Sequence, residues 1–282
     1  MPFGLSSAPG TFQRLMDLVF SGLNYYLMLV YVDDVVVFGP SVETLMVRLE
    51  EFLSRLRDAN LKINTRKCHM FQRSIFFPGH VISEAGVEVP PEKTAAVEEW
   101  PVPRTRRELR SFLGLVSYYR KFIKSFGLIA EPLYKLMRKG RQFSWAEAQQ
   151  QAFEQLKSCL VQAPVIGTPQ ATGCFHLDAG TSLRSLGVVL SQSQVGVERV
   201  IAYASRTLSQ QEGAYCVTRK ELLLVVFGLQ KFRPYLTGRH FEVRVDHAAI
   251  QWLRKTPVPL AQTARWLLFI EKHRKGEKAR KR

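Results

Sequence analysis

The stretch Leu27-Met28-Leu29-Val30-Tyr31-Val32-Asp33-Asp34-Val35-Val36-Val37-Phe38 sets two adjacent carboxylates between apolar runs. Both runs read as short buried strands, so Asp33 and Asp34 fall at the turn of a β-hairpin. Unpaired charge between such flanks is costly unless a cation meets it, and a divalent metal would resolve that cost. Turn chemistry is the other explanation, because Asp tolerates tight turns and bonds its own backbone. The hairpin by itself leaves the two readings level.

The surroundings favour the first. Met1-Pro2-Phe3-Gly4-Leu5-Ser6-Ser7-Ala8-Pro9-Gly10-Thr11-Phe12-Gln13-Arg14-Leu15-Met16 precedes the hairpin, and Asn60-Leu61-Lys62-Ile63-Asn64-Thr65-Arg66-Lys67-Cys68 follows it. This arrangement resembles the palm of a reverse transcriptase, and more narrowly a gypsy-type long-terminal-repeat retrotransposon Pol polyprotein. Phe77-Pro78-Gly79-His80, Phe112-Leu113-Gly114-Leu115, Glu131-Pro132-Leu133 and Ala152-Phe153-Glu154-Gln155-Leu156-Lys157 continue the resemblance in order.

Composition is consistent with that reading. The 282 residues are 46% hydrophobic and 23% charged, which suits two globular domains with a real core. The formal charge of +16 favours a polyanionic partner, nucleic acid before membrane surface. Residues 272–282 carry +6 of it, so +10 remains on the body. Cys68, Cys159, Cys174 and Cys216 lack zinc-type spacing and read as reduced thiols inside the cell. No apolar stretch suits a membrane span and no secretory leader is evident, so an intracellular, cytoplasmic protein is expected, with the basic tail offering nuclear entry.

Along the chain, Leu45, Leu49, Phe52, Leu53 and Leu56 follow the helical period between Ser41 and Ala59. Residues 75–89 read as strands broken at Gly79 and Gly86, in the region that the resemblance makes the primer grip. Thr105 with Glu108, and Ser144 with Glu147, form capping-box patterns ahead of helices. Arg104, Arg106, Arg107, Arg110, Arg120, Lys121 and Lys124 decorate the first of these, as a phosphate-following element would require. Gly167-Thr168-Pro169-Gln170-Ala171-Thr172-Gly173 reads as the linker. The expected fold is thus α/β (α+β): a partial palm (1–90), a helical thumb/connection (91–166), the linker (167–173), a truncated ribonuclease H-like mixed-sheet domain (174–271) and a basic tail (272–282).

A second carboxylate set follows the linker. Asp178 reads as the end of one strand, Glu221 as the first turn of a helix and Asp246 as the end of another strand. Carboxylates from separate elements are what a two-metal phosphodiesterase needs. The resemblance maps the Asp, Glu and Asp of a ribonuclease H domain onto them. Simple turn roles for the aspartates, and a cap on Thr218 for Glu221, are the alternatives. The resemblance also implies Mg2+ or Mn2+ at Asp33, Asp34, Asp178, Glu221 and Asp246. It puts nucleic-acid contacts at Gln13, Lys67, Gly79, Arg106, Arg107, Arg120 and Lys121, with an RNA·DNA hybrid or primer-template as partner and association with other Pol segments.

Three departures from the family pattern stand out. The chain starts too late for the upstream aspartate that polymerisation needs, so no polymerase activity is expected. The fourth ribonuclease H carboxylate, beyond Trp266, gives way to a basic run in which Glu277 has no matching context. The run from Asp178 to Gly187 is about two residues long for the pattern, with Ser185 where glycine is common, and Pro78 occupies a position usually held by leucine.

Overall fold

The computed structural model describes residues 5–23, 27–138, 140, 142–170, 172–181 and 184–245. The chain divides between Glu84 and Ala85 into two compact units.

In the first unit, helix α1 (Ala8–Val19) leads to strands β1 (Met28–Tyr31) and β2 (Asp34–Val37). These pair antiparallel with Tyr31 opposite Asp34, which leaves Val32 and Asp33 as a two-residue turn. Helix α2 (Val42–Asp58) starts where the Ser41 hydroxyl accepts from the Thr44 N–H at 3.2 Å. Its Phe52 and Leu56 close a core with Met16, Phe20 and Met28, and the Phe20 and Phe52 rings stack at 5.3 Å. Leu53, expected on the buried face, is exposed. Strands β3 (Ser74–Phe77) and β4 (His80–Ser83) form a hairpin through Pro78-Gly79, with Gly79 at φ +70°. Pro followed by a positive-φ Gly is the type II turn pattern, so Pro78 withholds no N–H from the ladder.

The second unit opens with β5 (Gly86–Glu88), where Val87 and Ile166 exchange backbone hydrogen bonds of 2.8 and 2.9 Å. Five helices follow: α3 (Pro91–Glu98), α4 (Arg106–Tyr118), α5 (Phe126–Ile129), α6 (Glu131–Leu136) and α7 (Glu147–Val161). They enclose a core of Leu109, Phe112, Val116, Phe122, Leu133, Phe153 and Leu156. Thr105 caps α4 as expected, accepting from the Glu108 N–H at 3.2 Å; the Glu108 carboxylate reaches back to the Arg104 N–H at 2.8 Å. Helix α7 begins later than the Ser144 pattern predicts. Its cap is Ala146, whose N–H donates to Gln149 Oε1 at 3.2 Å.

Strands β6 (Phe175–Thr181), β7 (Ser185–Gln194), β8 (Val197–Thr207) and β9 (Phe241–Arg244) form a mixed sheet in the order β8-β7-β6-β9, with only β6 and β9 parallel. Helices α8 (Gln210–Gly213), α9 (Val217–Lys231) and α10 (Arg233–Leu236) connect β8 to β9. Helix α9 lies on the face that carries Leu177 and Val188. Gly228 permits the approach, since a Cβ there would stand 3.0 Å from a Leu177 methyl group.

The helices and the sheet share one unit. Gly127 N–H donates to Ser205 Oγ at 2.8 Å, and Gly167 N–H to the Val200 carbonyl at 2.7 Å. The segment 167–173 is strapped to β7. The buried Gln192 amide donates to the Gln170 and Thr172 carbonyls at 3.0 and 2.9 Å, and Gln194 donates to Thr168 at 2.7 Å. Two glutamines thus satisfy backbone groups that water would otherwise have to meet.

Candidate functional site

The first carboxylate pair lies where the hairpin reading put it. Asp33 and Asp34 are both exposed at the β1–β2 turn. The turn is strained: Val32 holds φ +50°, a region costly for a β-branched residue. Gln13 holds it there. Its Oε1 accepts from the Val32 N–H at 2.7 Å, and its Nε2 donates to Asp17 at 2.9 Å. Gln13, expected as a nucleic-acid contact, therefore braces the turn that carries Asp33.

The second set lies on the sheet. Asp178 is not at a strand end, as the sequence suggested, but inside β6, opposite Val189 on β7 and Arg244 on β9. The ladder continues unbroken to Thr181 opposite Leu186, so the lengthened stretch is absorbed beyond the pairs that fix Asp178. Ser185 is buried as the first residue of β7. Strand alternation turns Asp178 away from the Leu177 face and its helix. On that polar face, Arg244 Nη1 stands 3.6 Å from Asp178 Oδ2 and 3.0 Å from Glu198 Oε2. The Ser191 hydroxyl donates to Glu198 at 2.6 Å. Burial raises the Glu198 pKa, but the Ser191 hydrogen bond and Arg244 outweigh it and hold the carboxyl below its ordinary value. Farther along β6, the buried His176 bonds Ser193 through Nε2 at 2.8 Å and faces Glu242 through Nδ1 at 3.4 Å.

Glu221 is half-buried in the second turn of α9. The helix starts at Val217 after Cys216, without a side-chain cap, so the Thr218 capping box does not form. Asp246 lies outside the described residues, as does the basic tail. Among the described residues no three Asp, Glu, His or Cys side chains gather as a metal site. Missing from the sequence reading were Glu198, Arg244, His176 and Glu242. Alternation along β6 and β9 was the available signal: His176 and Asp178, like Glu242 and Arg244, are two apart and share a face.

The proposed nucleic-acid contacts are spread over both units. Lys67 is exposed at the end of a 3-10 turn capped by Asn64, and Gly79 sits in the Pro78 turn. Arg107 and Arg120 are exposed, while Arg106 and Lys121 are half-buried. Lys121 lies over the Phe122 ring at 5.1 Å, and burial lowers its pKa.

Residues 1–116 match the family model described as reverse transcriptase (RNA-dependent DNA polymerase), and residues 145–243 match the RNase H-like domain found in reverse transcriptase. The Pol polyprotein from transposon 297 of Drosophila melanogaster is 35% identical over 97% of this chain. This is a retrotransposon-type Pol sequence with reverse transcriptase and ribonuclease H regions. The Pol polyprotein from Drosophila transposon gypsy is 34% identical over 97% of the chain, and the fission yeast transposon Tf2-3 polyprotein 32% over 96%. Such similar values single out no one transposon family. The chain spans 26%, 27% and 21% of those three polyproteins, respectively. The foamy viral protease-reverse transcriptase solved with double-stranded DNA shares the fold at TM-score 0.82 and 24% identity, over 99% of this chain and 59% of that one. The same viral protein solved with an RNA/DNA hybrid gives 0.81 and 23%, over 99% and 38%. This Pol sequence accordingly has the expected α+β architecture, with an RT-like region followed by a mixed-sheet ribonuclease H-like domain.

Proposed function

We propose that this Pol chain binds RNA·DNA hybrids and that its ribonuclease H-like sheet hydrolyses the RNA strand with Mg2+ or Mn2+. The observation that carries the reading is Asp178, held inside the central pair of strands on a polar face that already presents it to a cation, Arg244. Asp178 and Glu221 offer hard carboxylate oxygens, the donor chemistry that Mg2+ and Mn2+ prefer. Asp246 would complete the set. A bound divalent ion would make water a better nucleophile and stabilise the leaving oxygen. The chain's own contribution is to fix the Asp178 backbone from both sides by β7 and β9 and to keep the carboxylate out of the apolar layer under α9.

Asp33 and Asp34 would hold metal in a polymerase site, since both carboxylates stand exposed at the β1–β2 turn. Motif order and spacing support membership in the gypsy-type group, with other Pol segments as partners, and the four cysteines without zinc-type spacing suit an intracellular setting. A binding remnant without hydrolysis is the second reading, favoured by Arg244, a cation already standing 3.6 Å from Asp178 where a metal would bind.

Incubation of the purified chain with labelled RNA·DNA hybrid and Mg2+, beside an Asp178→Asn, Asp246→Asn control, separates the two. Cleavage that the control loses supports the nuclease. Salt-sensitive binding without cleavage supports the remnant.

A further inference from the structure

Strands β8 and β9 are the two edges of the sheet, yet Glu198 on one and Arg244 on the other meet. The Arg244 side chain therefore lies across the polar face of β6 and β7. Its Nη1 is 3.0 Å from each carboxylate oxygen of Glu198 but 3.6 Å from Asp178 Oδ2. Glu198 is itself fixed by the Ser191 hydroxyl at 2.6 Å. The short double contact makes Glu198 the anchor, and the longer one leaves Asp178 as the exchangeable partner.

We propose that Arg244, anchored on Glu198, is a resident cation on Asp178 that competes with a divalent ion for this carboxylate and so sets how readily the site loads. The inference rests on the metal reading of Asp178. A guanidinium stays charged at every working pH and carries more donors than Glu198 can use, so it keeps its anchor while sharing Asp178. An ion that takes Asp178 displaces the weaker of the two contacts that Arg244 makes. Arg244 is thus a positioning residue: it holds the carboxylate on the polar face before loading and opposes the incoming charge during it.

The test uses the whole chain, with R244Q, R244K, E198Q and D178N. Without metal, a double-mutant cycle of melting temperatures between Arg244 and Asp178 reads the contact itself; the shifts should be non-additive, and saturating Mn2+ should abolish the coupling. Mn2+ titration followed by electron paramagnetic resonance then reads the competition. R244Q should bind about fivefold more tightly than the parent, the scale of one unit charge at this separation in water-like surroundings. E198Q should bind more weakly, because a released Arg244 pairs more fully with Asp178. R244K, which keeps the charge without the fork, should fall between parent and R244Q. Binding that D178N abolishes but R244Q leaves unchanged overturns the competition and spares the metal reading. No Asp178-dependent Mn2+ binding in parent or R244Q, with the metal-free coupling present, overturns both.

Discussion

Replacing Gly127 by alanine should weaken the seam between the helical segment and the ribonuclease H-like sheet. The reason is steric and local. A Cβ at Gly127 would stand 2.9 Å from Arg206 Cα and 3.1 Å from both Arg206 N and C. These are backbone atoms of a strand paired to β7, so no rotamer change relieves the contact, and α5 must move instead. Forcing a methyl group into a packed site costs about 1–3 kcal/mol. Taking about 2 kcal/mol, and about 2–4 °C per kcal/mol for a unit of this size, the melting temperature should fall by about 4–8 °C. The same movement stretches the bond from Gly127 N–H to Ser205 Oγ. Ser205→Ala alone should cost about 1 kcal/mol, and the double variant less than the two together, because G127A already forfeits that bond. Calorimetry on the whole chain measures all three, with limited proteolysis across residues 167–173 reporting whether the seam has opened. A G127A melting temperature within about 1 °C of the parent would refute the packing argument.

Gln13→Ala should destabilise the first unit by about 1–2 kcal/mol, since the strained Val32 turn loses its acceptor; an unchanged thermal transition would return Gln13 to a purely ligand-facing role. The Glu212 carboxyl is lowered from 4.5 to about 2, chiefly by its hydrogen bonds from Arg206, which more than offset burial. A lowered folded-state value contributes stability that is present above about pH 4.5 and lost as pH falls toward 2. Allowing for solvent screening, E212Q should remove about 1–2 kcal/mol of that acid dependence; parallel stability-pH curves for parent and variant from pH 2 to 5 would contradict it. Arg107→Gln and Arg120→Gln should each shallow the salt dependence of hybrid binding by about one unit of log-log slope, and slopes equal to the parent's would remove those residues from the phosphate path.

How legible the molecule was depended on whether a feature was local. The Asp33-Asp34 hairpin and the Thr105 cap of α4 are set by spacing over a few residues, which a single sequence records, whereas the mixed sheet, in which Phe175 pairs with the distant Phe241, was expected from the family resemblance. Helix α7 began two residues late for its pattern because the Gln149 amide, not a Ser144 hydroxyl, meets the first free N–H. The Gly/Pro-rich segment 167–173 reads as linker by composition, but its backbone is met by Gln192 and Gln194 from β7, about twenty residues on. Nothing in the segment itself announces those partners. Gln13 adds a non-local role of the same kind: its family motif points to a nucleic-acid contact, and its side chain also accepts from Val32 N–H, nineteen residues away.

The carboxylates show why spacing stops short of chemistry. Element type correctly gave β6, α9 and β9 as carriers of Asp178, Glu221 and the segment before Asp246, yet metal binding depends on which face each side chain takes. Parity settles that for β6: Leu177 is buried under Gly228 of α9, so Asp178 must face the other way, toward Arg244. Glu221 rides on a helix packed against the Leu177 side, so it can join Asp178 only from the α9 end that precedes Leu222 and the buried residues behind it. On the proposed metal reading, convergence therefore turns on β6 and the start of α9 rather than on the number of acids in the chain. A Glu221→Gln variant that leaves Mn2+ affinity at the parent value, while D178N removes it, would show that the two ends do not converge.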